Sequence, residues 1–523
     1  MTEHPAFNLL DEPWIPVRTQ TGEVHEVSLT DALLKARDYA ALAETSPPNL
    51  IALYRLLLAA LHRALTTQHG PWRDADRARW FREGLPETPI RAYLEHWRER
   101  LWLFHPKDPF MQVAALAEAK ATRDKLKSLT QIELEGANGN TPVMFDHALD
   151  EAPAPLLCAR GCRNLLGFLQ FTPGGLVKTL RDSDKAGALS NTAAVMPVGK
   201  NLSETLLLGL HPFDSRRLDD LPSWERAMPT ESMLQSAPIM ASGPNDRYTR
   251  LSRAVLFVRE DDLTKIRQIR FAAGLALEED PNAPDSMACY RINKEGKAIR
   301  ISYSAGRAIW RDLPSLLPDP SKSKDIPAAI LGWAANLHSA LSHWDATVQI
   351  LSAGLASDQA KLLRWRAERI ELPKTLLAQE DSAEMLRQQV RFAEEVFSRS
   401  RSILNDLIAQ TMPDPKHKDT KSRAKDILAN GPAAAVFFSA AERALPKLMQ
   451  QIAAGDFDAA DTDWKTILVA AARQSWEATR RSLGDSPAVL RADARTWPRF
   501  IGLLNMLVPP APKPTVTPEE AIP

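Results

Sequence analysis

The sequence lacks an excess of charge of either sign. Its 523 residues include 65 Lys and Arg and 65 Asp and Glu, so the formal net charge is zero. A protein that binds nucleic acid through its overall charge is usually basic, so any such contact here must come from local patches or from a site shared with partners. Hydrophobic content of 44% and charged content of 25% are ordinary for a globular chain, and the length predicts two to four domains.

Cysteine is scarce as well. The three cysteines, Cys158, Cys162 and Cys289, are an odd number that argues against a disulfide framework and suits a reducing compartment. The N-terminal stretch MTEHPAFNLLDEPW lacks the basic and apolar regions of a signal peptide. No uninterrupted apolar run approaches the roughly 20 residues of a membrane span. We therefore expect a cytoplasmic protein with no membrane partner.

Common catalytic motifs are also missing. The sequence has no Walker A motif, no GxSxG elbow and no dinucleotide-binding glycine fingerprint. Asp146 and His147 are adjacent, as in some metal-dependent hydrolases, but no further ligand set accompanies them. The CxxxC of Cys158 and Cys162 needs two more ligands to hold zinc, so buried thiols are the favoured interpretation. The run DFDAADTD at 456–463 lacks the central glycine of a calcium loop and favours a helix start. We predict no metal, no cofactor and no catalytic residue.

The hydrophobic patterns predict an α+β fold with two parts. Residues 1–375 mix short strands, helices and long loops, beginning with a β-hairpin that turns at Gly22 and a helix that starts near Ser28. Residues 376–509 predict a four-helix bundle, whose first seam consists of apolar or small residues spaced by threes and fours: Leu386, Val390, Ala393, Phe397, Ser400, Leu404 and Leu407. Pro446 predicts a kink and Pro498 a break. Residues 510–523 are a proline-rich tail that we expect to be disordered.

Three basic segments are candidates for contact with nucleic acid. In SAGLASDQAKLLRWRAER (352–369), Gln359 ends a turn of small residues, and a helix is predicted from Ala360 onward. The basic residues of that predicted helix are Lys361, Arg364, Arg366 and Arg369. A second segment surrounds Gly174 and Gly175 and carries Lys178, Arg181, Lys185 and Lys200. The third, Lys416, Lys418, Lys421, Arg423 and Lys425, lies in the predicted link between the first two bundle helices, where a solvated surface is favoured.

The order of several short motifs resembles that of one known family. They are FNLLDEPWIPV, DPFMQV (108–113), VMFDH (143–147), FTPGGL (171–176), DRYTRLSRAVLF (246–257), AIWRDLP (308–314) and GLASDQAKLLRWR. In this order they resemble the large subunits of type I-E CRISPR Cascade surveillance complexes, the CasA family. The resemblance implies a mixed N-terminal domain followed by a C-terminal four-helix bundle. It also implies a protein that is not itself a nuclease.

The resemblance implies a role in target recognition. The family reads the protospacer-adjacent motif (PAM) of double-stranded DNA from the minor groove, starts strand separation for R-loop formation and helps to recruit a helicase–nuclease. The implied partners are the CRISPR RNA (crRNA), the double-stranded target DNA, the backbone, handle-binding and small subunits of Cascade, and the helicase–nuclease.

The resemblance also assigns roles to residues. Gly174 and Gly175 correspond to a glycine loop that faces the groove, and Arg253 to a basic residue that enters it. Gln359, preceded by Asp358, corresponds to a wedge that parts the strands. The cations Lys178, Arg181, Lys361 and Arg364 beside these elements are candidates, on their charge, for contacts with the DNA backbone. The resemblance further assigns an RNA-handle loop that contains Asn138, Asn140 and Phe145.

Two other functions remain open at the level of sequence. A helical scaffold that binds only proteins would show no dependence on a PAM. A metal-dependent hydrolase that uses Asp146 and His147 would cleave nucleic acid when metal is added.

Overall fold

The computed structural model describes residues 4–136, 153–175, 179–280, 283–302, 306–317, 325–341, 347–358 and 361–507, and the side chains of all of these except 357, 358 and 361–364. The chain divides into two compact units. The first comprises Met1–Ile309 and Pro318–Lys374, and the second comprises Trp310–Leu317 and Thr375–Pro523. The predicted boundary at 375/376 lies next to this division, but the short segment 310–317 was not predicted to belong with the bundle.

The elements alternate between short strands and helices in the first unit and are helical in the second. Up to residue 300 they are β1 (Ala6–Asn8), β2 (Ile15–Thr19), β3 (Val24–Val27), α1 (Leu29–Leu34), β4 (Tyr39–Leu42), α2 (Pro47–Ala64), α3 (Asp74–Glu83), α4 (Glu87–His96), β5 (Trp102–Phe104), β6 (Lys127–Ser128), β7 (Leu156–Leu157), α5 (Cys158–Phe171), β8 (Ala193–Val198), α6 (Leu202–Gly209), α7 (Glu231–Gln235), β9 (Ile239–Met240), α8 (Pro244–Tyr248), β10 (Arg253–Phe257), β11 (Lys265–Ile266), β12 (Gln268–Ala273), β13 (Leu277–Glu278), β14 (Tyr290–Ile292) and β15 (Ala298–Arg300). Then follow α9 (Leu313–Leu316), β16 (Asp325–Ile326), α10 (Ala329–Ala340), β17 (Thr347–Asp358), β18 (Lys361–Pro373), α11 (Thr375–Ala378), α12 (Glu380–Ala409), α13 (Lys418–Asn430), α14 (Ala433–Ala453), α15 (Phe457–Ser482) and α16 (Pro487–Leu507). The α+β fold class is confirmed.

The predicted N-terminal hairpin and the helix after it are both present. Strands β2 and β3 pair antiparallel from Ile15↔Val27 to Arg18↔Val24. Gly22 has φ of +93°, a conformation that glycine adopts without steric cost. The side chain of Ser28 accepts a hydrogen bond from the Asp31 N–H at 3.1 Å and so caps α1.

Helix α2 forms the centre of the first unit. All of its residues are buried, and it packs against α5, α8 and the strands β17 and β18. The helical stretch Pro47–His69 is long and apolar enough to cross a membrane, but 89% of its most apolar window is buried inside the protein, as in a core helix. The helix begins after Ser46, and the Asn49 side chain in its first turn donates to Asn164 Oδ1 at 3.0 Å.

A buried ion pair ties α2 to its neighbours. Arg55 Nη2 lies 2.5 Å from Asp285 Oδ1, and neither side chain is exposed to solvent. Arg55 Nη1 also donates to Gln170 Oε1 of α5 at 2.8 Å. Burial is the largest single effect and raises the pKa of Asp285, but the charges of Arg55, Arg247 and Arg300 and the hydrogen bond from Arg55 together outweigh it, so the pKa of this carboxyl lies below its usual value. The pair therefore connects three segments that are distant in sequence.

Two stacked histidines lie near the other end of α2. The rings of His62 and His211 are 3.6 Å apart and nearly parallel, and His211 Nε2 is 3.9 Å from Asp220 Oδ2. Burial lowers the pKa of His62 to about 3 and that of His211 well below its usual 6.5. Burial also raises the pKa of Asp220 to about 6. Both rings are therefore neutral in the folded protein at pH 7.

We expect the stability of the first unit to fall as the pH drops below about 6.5. The unfolded histidines then bind protons that the buried rings exclude, which favours the unfolded state. Asp220 opposes this trend as the pH falls below about 6, and so do Asp184 and Glu135, whose pKa values burial also raises, whereas His338, whose pKa burial lowers to about 3, adds to it. Urea unfolding between pH 8 and 4 measures how the free energy of unfolding changes with pH. Relative to wild type, this slope should be shallower for His211→Gln and unchanged for His25→Gln, because His25 is exposed. An unchanged slope for His211→Gln would contradict the assignment.

The largest difference from the sequence-based expectation lies at residues 361–373. The predicted helix is absent, and β18 instead pairs antiparallel with β17 from Thr347↔Pro373 to Asp358↔Lys361. Strand β17 also pairs with β8, from Gln349↔Val198 to Gly354↔Ala193, so it is the central strand of three. The local sequence is rich in helix formers, but pairing with β17 satisfies the backbone of β18 and overrides that preference.

The second unit contains the predicted bundle helices α12, α14, α15 and α16, together with α13 and the short helices α9 and α11. The supposed link after α12 includes α13, which buries only Ala424 and Leu428 and carries four exposed cations: Lys418, Lys421, Arg423 and Lys425. The predicted break at Pro498 is wrong, because α16 continues through it and buries Phe500 and Leu504 beyond it. Pro498 is exposed, as is Ala494, so water can reach the carbonyl that loses its partner. Of the predicted seam, Phe397 is only half-buried and the other six residues are buried.

The segment Trp310–Leu317 has specific contacts within the second unit. Arg311 Nε lies 2.7 Å from Glu394 Oε1 of α12, and its guanidinium lies 3.4 Å from the centre of the Phe438 ring. Trp310 is almost completely buried and stacks edge-on against Trp464. These side chains explain why eight residues from the middle of the chain join the C-terminal helices.

Candidate nucleic-acid interface

The glycine loop follows α5 directly. Gly175 is exposed, has φ of +104° and donates its N–H to the Asp184 carbonyl at 2.9 Å. A side chain at Gly175 would meet no atom within 4 Å, so the backbone faces open space there. Gly187 N–H donates to the Thr172 carbonyl at 2.8 Å and closes the base of the loop. The loop therefore presents peptide groups that a partner can approach closely.

Arg253 supports this loop from the interior. Its side chain is 1% exposed and pairs with Asp184, Nη1 to Oδ2, at 2.9 Å. Nη1 also donates to the Lys185 carbonyl at 2.7 Å, and Nη2 donates to the Pro173 carbonyl. Burial lowers the pKa of Arg253, while Asp184 opposes the shift. The expected DNA-facing position of Arg253 is therefore not what the structure shows, because the strand β10 directs this side chain beneath the loop.

Arg181 binds the same carboxylate. Its Nη2 lies 2.8 Å from Asp184 Oδ1 and donates to the Gly274 carbonyl at 2.5 Å, and its Nη1 donates to the Ser236 carbonyl at 3.2 Å. The side chain is 13% exposed. The sequence suggested that Arg181 contacts a DNA phosphate, but these bonds already occupy its guanidinium. Lys178 lies outside the described residues.

The hairpin of β17 and β18 extends beyond its sheet. Pairing with β8 stops at Gly354, whereas pairing between β17 and β18 continues to Asp358↔Lys361. Four residues of β17 therefore project past the third strand. A Cβ on Gly354 would lie 2.1 Å from the Thr192 carbonyl oxygen, so glycine is required where the hairpin leaves the sheet.

The strand residues on either side of the predicted wedge, Asp358, Lys361 and Arg364, belong to this projecting end. Gln359 lies outside the described residues, between the last residue of β17 and the first of β18. Asp358, Lys361 and Arg364 are placed on the strands. Further along β18, Arg369 donates to Gln349 at 3.4 Å, and Arg366 donates to the Arg307 carbonyl. Because side chains alternate along a strand, Arg366 and Arg369 lie on opposite faces of β18.

A short segment connects the glycine loop with the hairpin. Residues 184–192 run from the loop's ion pair to the strand β8. Along this segment, Leu189 N–H donates to the Gln170 carbonyl at 2.8 Å, and Arg300 Nη1 donates to the Ala188 carbonyl at 2.8 Å. The segment ends at Thr192, against which Gly354 packs. The structure thus links the two predicted DNA-binding elements through residues that the motifs did not identify, Asp184 above all.

Other candidate residues contribute less to this interface. Asn138, Asn140 and Phe145 of the predicted RNA-handle loop, with Asp146 and His147, lie outside the described residues. Cys158 and Cys162 are buried thiols of α5, and burial raises the pKa of Cys158 to about 12. Across the described ranges, no three His, Cys, Asp or Glu residues cluster as metal ligands. Asp456 caps α15 by accepting from the Ala459 N–H at 3.3 Å, which is the role expected for DFDAADTD.

Known proteins that are similar to this chain in sequence and fold share one description. The family model described as CRISPR-associated protein Cse1 matches residues 8–480. The CRISPR-associated protein CasA/Cse1 of Thermus thermophilus is 33% identical over 513 residues, which cover 96% of this chain and 98% of that protein. The crystal structure of Thermus thermophilus CasA matches with a TM-score of 0.81 and 30% identity, over 96% of this chain and 99% of that one.

A chain of a CRISPR RNA-guided surveillance complex has the same fold. It matches with a TM-score of 0.71 and 20% identity, over 95% of this chain and 100% of that one. The resemblance inferred from the motif order is thus confirmed by the family model, the identity to a relative and the fold. This chain belongs to the Cse1 (CasA) family, the large subunits of type I-E CRISPR Cascade surveillance complexes.

Proposed function

We propose that this chain recognises the PAM of double-stranded DNA from the minor groove and begins strand separation for R-loop formation. It acts without catalysis of its own and helps to recruit the helicase–nuclease. One observation carries the proposal: a single unit holds both an exposed glycine loop and a hairpin that projects beyond its sheet. Gly174 and Gly175 supply backbone that can approach a groove, and Asp358 and Gln359 lie at the end of the hairpin.

The chemistry of the loop suits loose recognition. The minor groove distinguishes A·T from G·C pairs and carries little further information. Peptide groups of glycine add hydrogen-bonding capacity but no side chain that could read the wider major groove. We therefore propose that several related PAMs are accepted.

The energetics of strand opening fit a wedge that acts only at the first step. Inserting a side chain into the stack costs a few kcal/mol per step. Each further step holds roughly 1.4 kcal/mol of stacking, so one glutamine cannot open a whole target. The RNA–DNA hybrid nearly balances the duplex that it replaces and supplies the remainder. Lys361 and Arg364 next to the wedge, and Lys178 in the glycine loop, are proposed to contact phosphates of the parted strands.

We also propose the partners that such a subunit needs. The chain with the surveillance-complex fold supports assembly with crRNA and with the backbone, handle-binding and small subunits. Asn138, Asn140 and Phe145 are proposed to contact the RNA handle. A cytoplasmic location agrees with three buried thiols that form no disulfide. No cofactor or metal enters the proposal.

A titration of the assembled complex tests the proposal. Duplexes that contain or lack a PAM, and a target whose strands are already separated, are titrated against complexes with and without this chain. The expected result is a preference for the PAM duplex that requires this chain, and little dependence on a PAM for the opened target. Equal binding of both duplexes would instead favour a scaffold that binds only proteins.

Replacing Gly175 with valine should weaken binding of the PAM duplex. Its φ of +104° is unfavourable for a β-branched residue by about 1–3 kcal/mol, and the new side chain occupies the space that the groove would need. We expect a loss of about tenfold or more in affinity for the PAM duplex, since 1.4 kcal/mol corresponds to tenfold. Gly22→Val is the matched control, because Gly22 has φ of +93° and equally open surroundings but lies in the β2–β3 turn. Equal losses in both variants would show that strain alone is responsible.

A further inference from the structure

We infer that Asp184 is the positioning residue of the glycine loop, acting through Arg253 and Arg181. The inference rests on the proposed function, because it concerns the same loop. Its basis is a set of contacts that converge on one buried carboxylate, and none of the motifs that indicated DNA binding includes Asp184.

The carboxylate of Asp184 is bound on both oxygens. Its side chain has no exposed surface, and it lies 2.9 Å from Arg253 and 2.8 Å from Arg181. The backbone N–H of Lys185 donates to Oδ1 at 3.0 Å. The carboxylate holds both guanidinium groups in place, because each buried cation would be costly without the opposite charge.

The same residue holds the glycine loop directly. The Asp184 carbonyl accepts the N–H of Gly175 at 2.9 Å. Arg253, oriented by the carboxylate, donates to the Pro173 carbonyl two residues earlier. The backbone and the side chain of Asp184 therefore fix both ends of Pro173–Gly175, the part of the loop proposed to meet DNA.

Asp184 also attaches the loop to the sheet beneath it. Gly274, which follows β12, donates its N–H to Oδ2 at 3.4 Å and accepts from Arg181 at 2.5 Å. Arg253 begins β10, which pairs with β12 from Arg253↔Ala273 onward. A loop held by a sheet loses less conformational entropy when it binds, and this preorganisation contributes to affinity.

The state of the carboxylate agrees with such a role. Burial raises the pKa of Asp184 and the two arginines lower it, with burial the larger effect. A neutral asparagine has nearly the same shape and would keep some hydrogen bonds, but it would leave the charges of Arg253 and Arg181 uncompensated. Asp184→Asn is therefore a selective test of the ion pairs.

The experiment uses the complete complex that contains Asp184→Asn. Affinity for the PAM duplex should fall by about tenfold or more, while affinity for a target with already separated strands stays within about twofold. Hydrogen exchange at the amides of Gly175 and Gly187 should become faster, because the loop loses its support. Arg181→Met, which removes one partner of Asp184 and leaves Arg253 paired, should give a smaller loss and serves if Asp184→Asn fails to assemble.

Asp220→Asn is the matched control. Asp220 is also a buried acid of the first unit, but it accepts the N–H groups of Asn245 and Asp246 and not those of the glycine loop. Unchanged PAM-duplex affinity for both Asp184→Asn and Arg181→Met would overturn the inference, as would equal losses for Asp184→Asn and Asp220→Asn. A wild-type complex that shows no PAM preference would instead overturn the proposed function and this inference with it.

Discussion

Replacing Gln359 with alanine is expected to leave assembly of the complex intact and to slow the opening of the first base pair about tenfold or more. Without an inserted side chain, the duplex must open against its own stacking, which averages about 1.4 kcal/mol per step. A barrier raised by about 1.36 kcal/mol slows a step tenfold. Permanganate footprinting of unpaired thymines next to the PAM, followed over time, measures this rate.

Gln349→Ala provides the matched control for the wedge. Gln349 lies on the same strand as the hairpin end, but it pairs with Val198 of β8 and interacts with Arg369, far from residue 359 along β17. We expect its opening rate to equal that of wild type. If Gln359→Ala also opens targets at the wild-type rate, the wedge assignment is wrong. If both variants open slowly, the hairpin as a whole matters and not the glutamine.

Replacing Arg55 with alanine should give the largest loss of stability. The substitution leaves Asp285 buried without its cation, and breaking one side of a buried ion pair costs about 3–5 kcal/mol. It also removes the bond to Gln170, which itself donates to the Tyr248 carbonyl at 2.8 Å. Urea unfolding followed by hydrogen exchange in α2 would report the change for the first unit alone, so the C-terminal helices would not obscure it.

The double variant Arg55→Met/Asp285→Leu separates charge from packing. When both partners of a buried pair become apolar, stability is often retained or increased, because neither charge needs to be desolvated. We expect the double variant to recover most of the loss seen for Arg55→Ala. A double variant as unstable as the single one would show that the bonds to Gln170 and the Met287 N–H, which Asp285 accepts at 3.0 Å, matter more than the charges.

The stretch 352–369 folds differently from what its residues predict. Two expectations for this stretch were wrong: the small residues up to Asp358 belong to the strand β17 and not to a turn, and the residues from Lys361 belong to β18 and not to a helix. Alanine, lysine, leucine and arginine favour a helix over a few residues. Whether such a segment becomes a strand depends on β17, and β17 in turn pairs with β8 about 150 residues earlier. The residues within 352–369 carry no information about that pairing partner.

Arg253 shows the same limit for a side chain. The resemblance assigned Arg253 to the DNA groove, whereas the structure places its side chain beneath the glycine loop. The direction of its side chain could not be inferred, because it depends on Asp184, whose place under the loop is set by the hydrogen bonds of Gly175 to the Asp184 carbonyl and of Gly187 to the Thr172 carbonyl. The sequence did contain a weak signal, because Asp184 follows PGG by nine residues and could neutralise a nearby cation. Many other acidic residues of this chain could do the same, so the signal does not single out Asp184.

Features that depend on neighbours along the chain could be predicted from the residues without the fold. These are the N-terminal hairpin with Gly22, the cap at Ser28, the long bundle helices and the motif order that indicates the family. Three others required the folded chain: the strand at 361–373, the inward direction of Arg253 and the membership of 310–317 in the second unit. The physical reason is that turns, caps and helical periodicity use interactions within a few residues. Strand pairing and buried ion pairs use partners that lie far apart in sequence and meet only after folding.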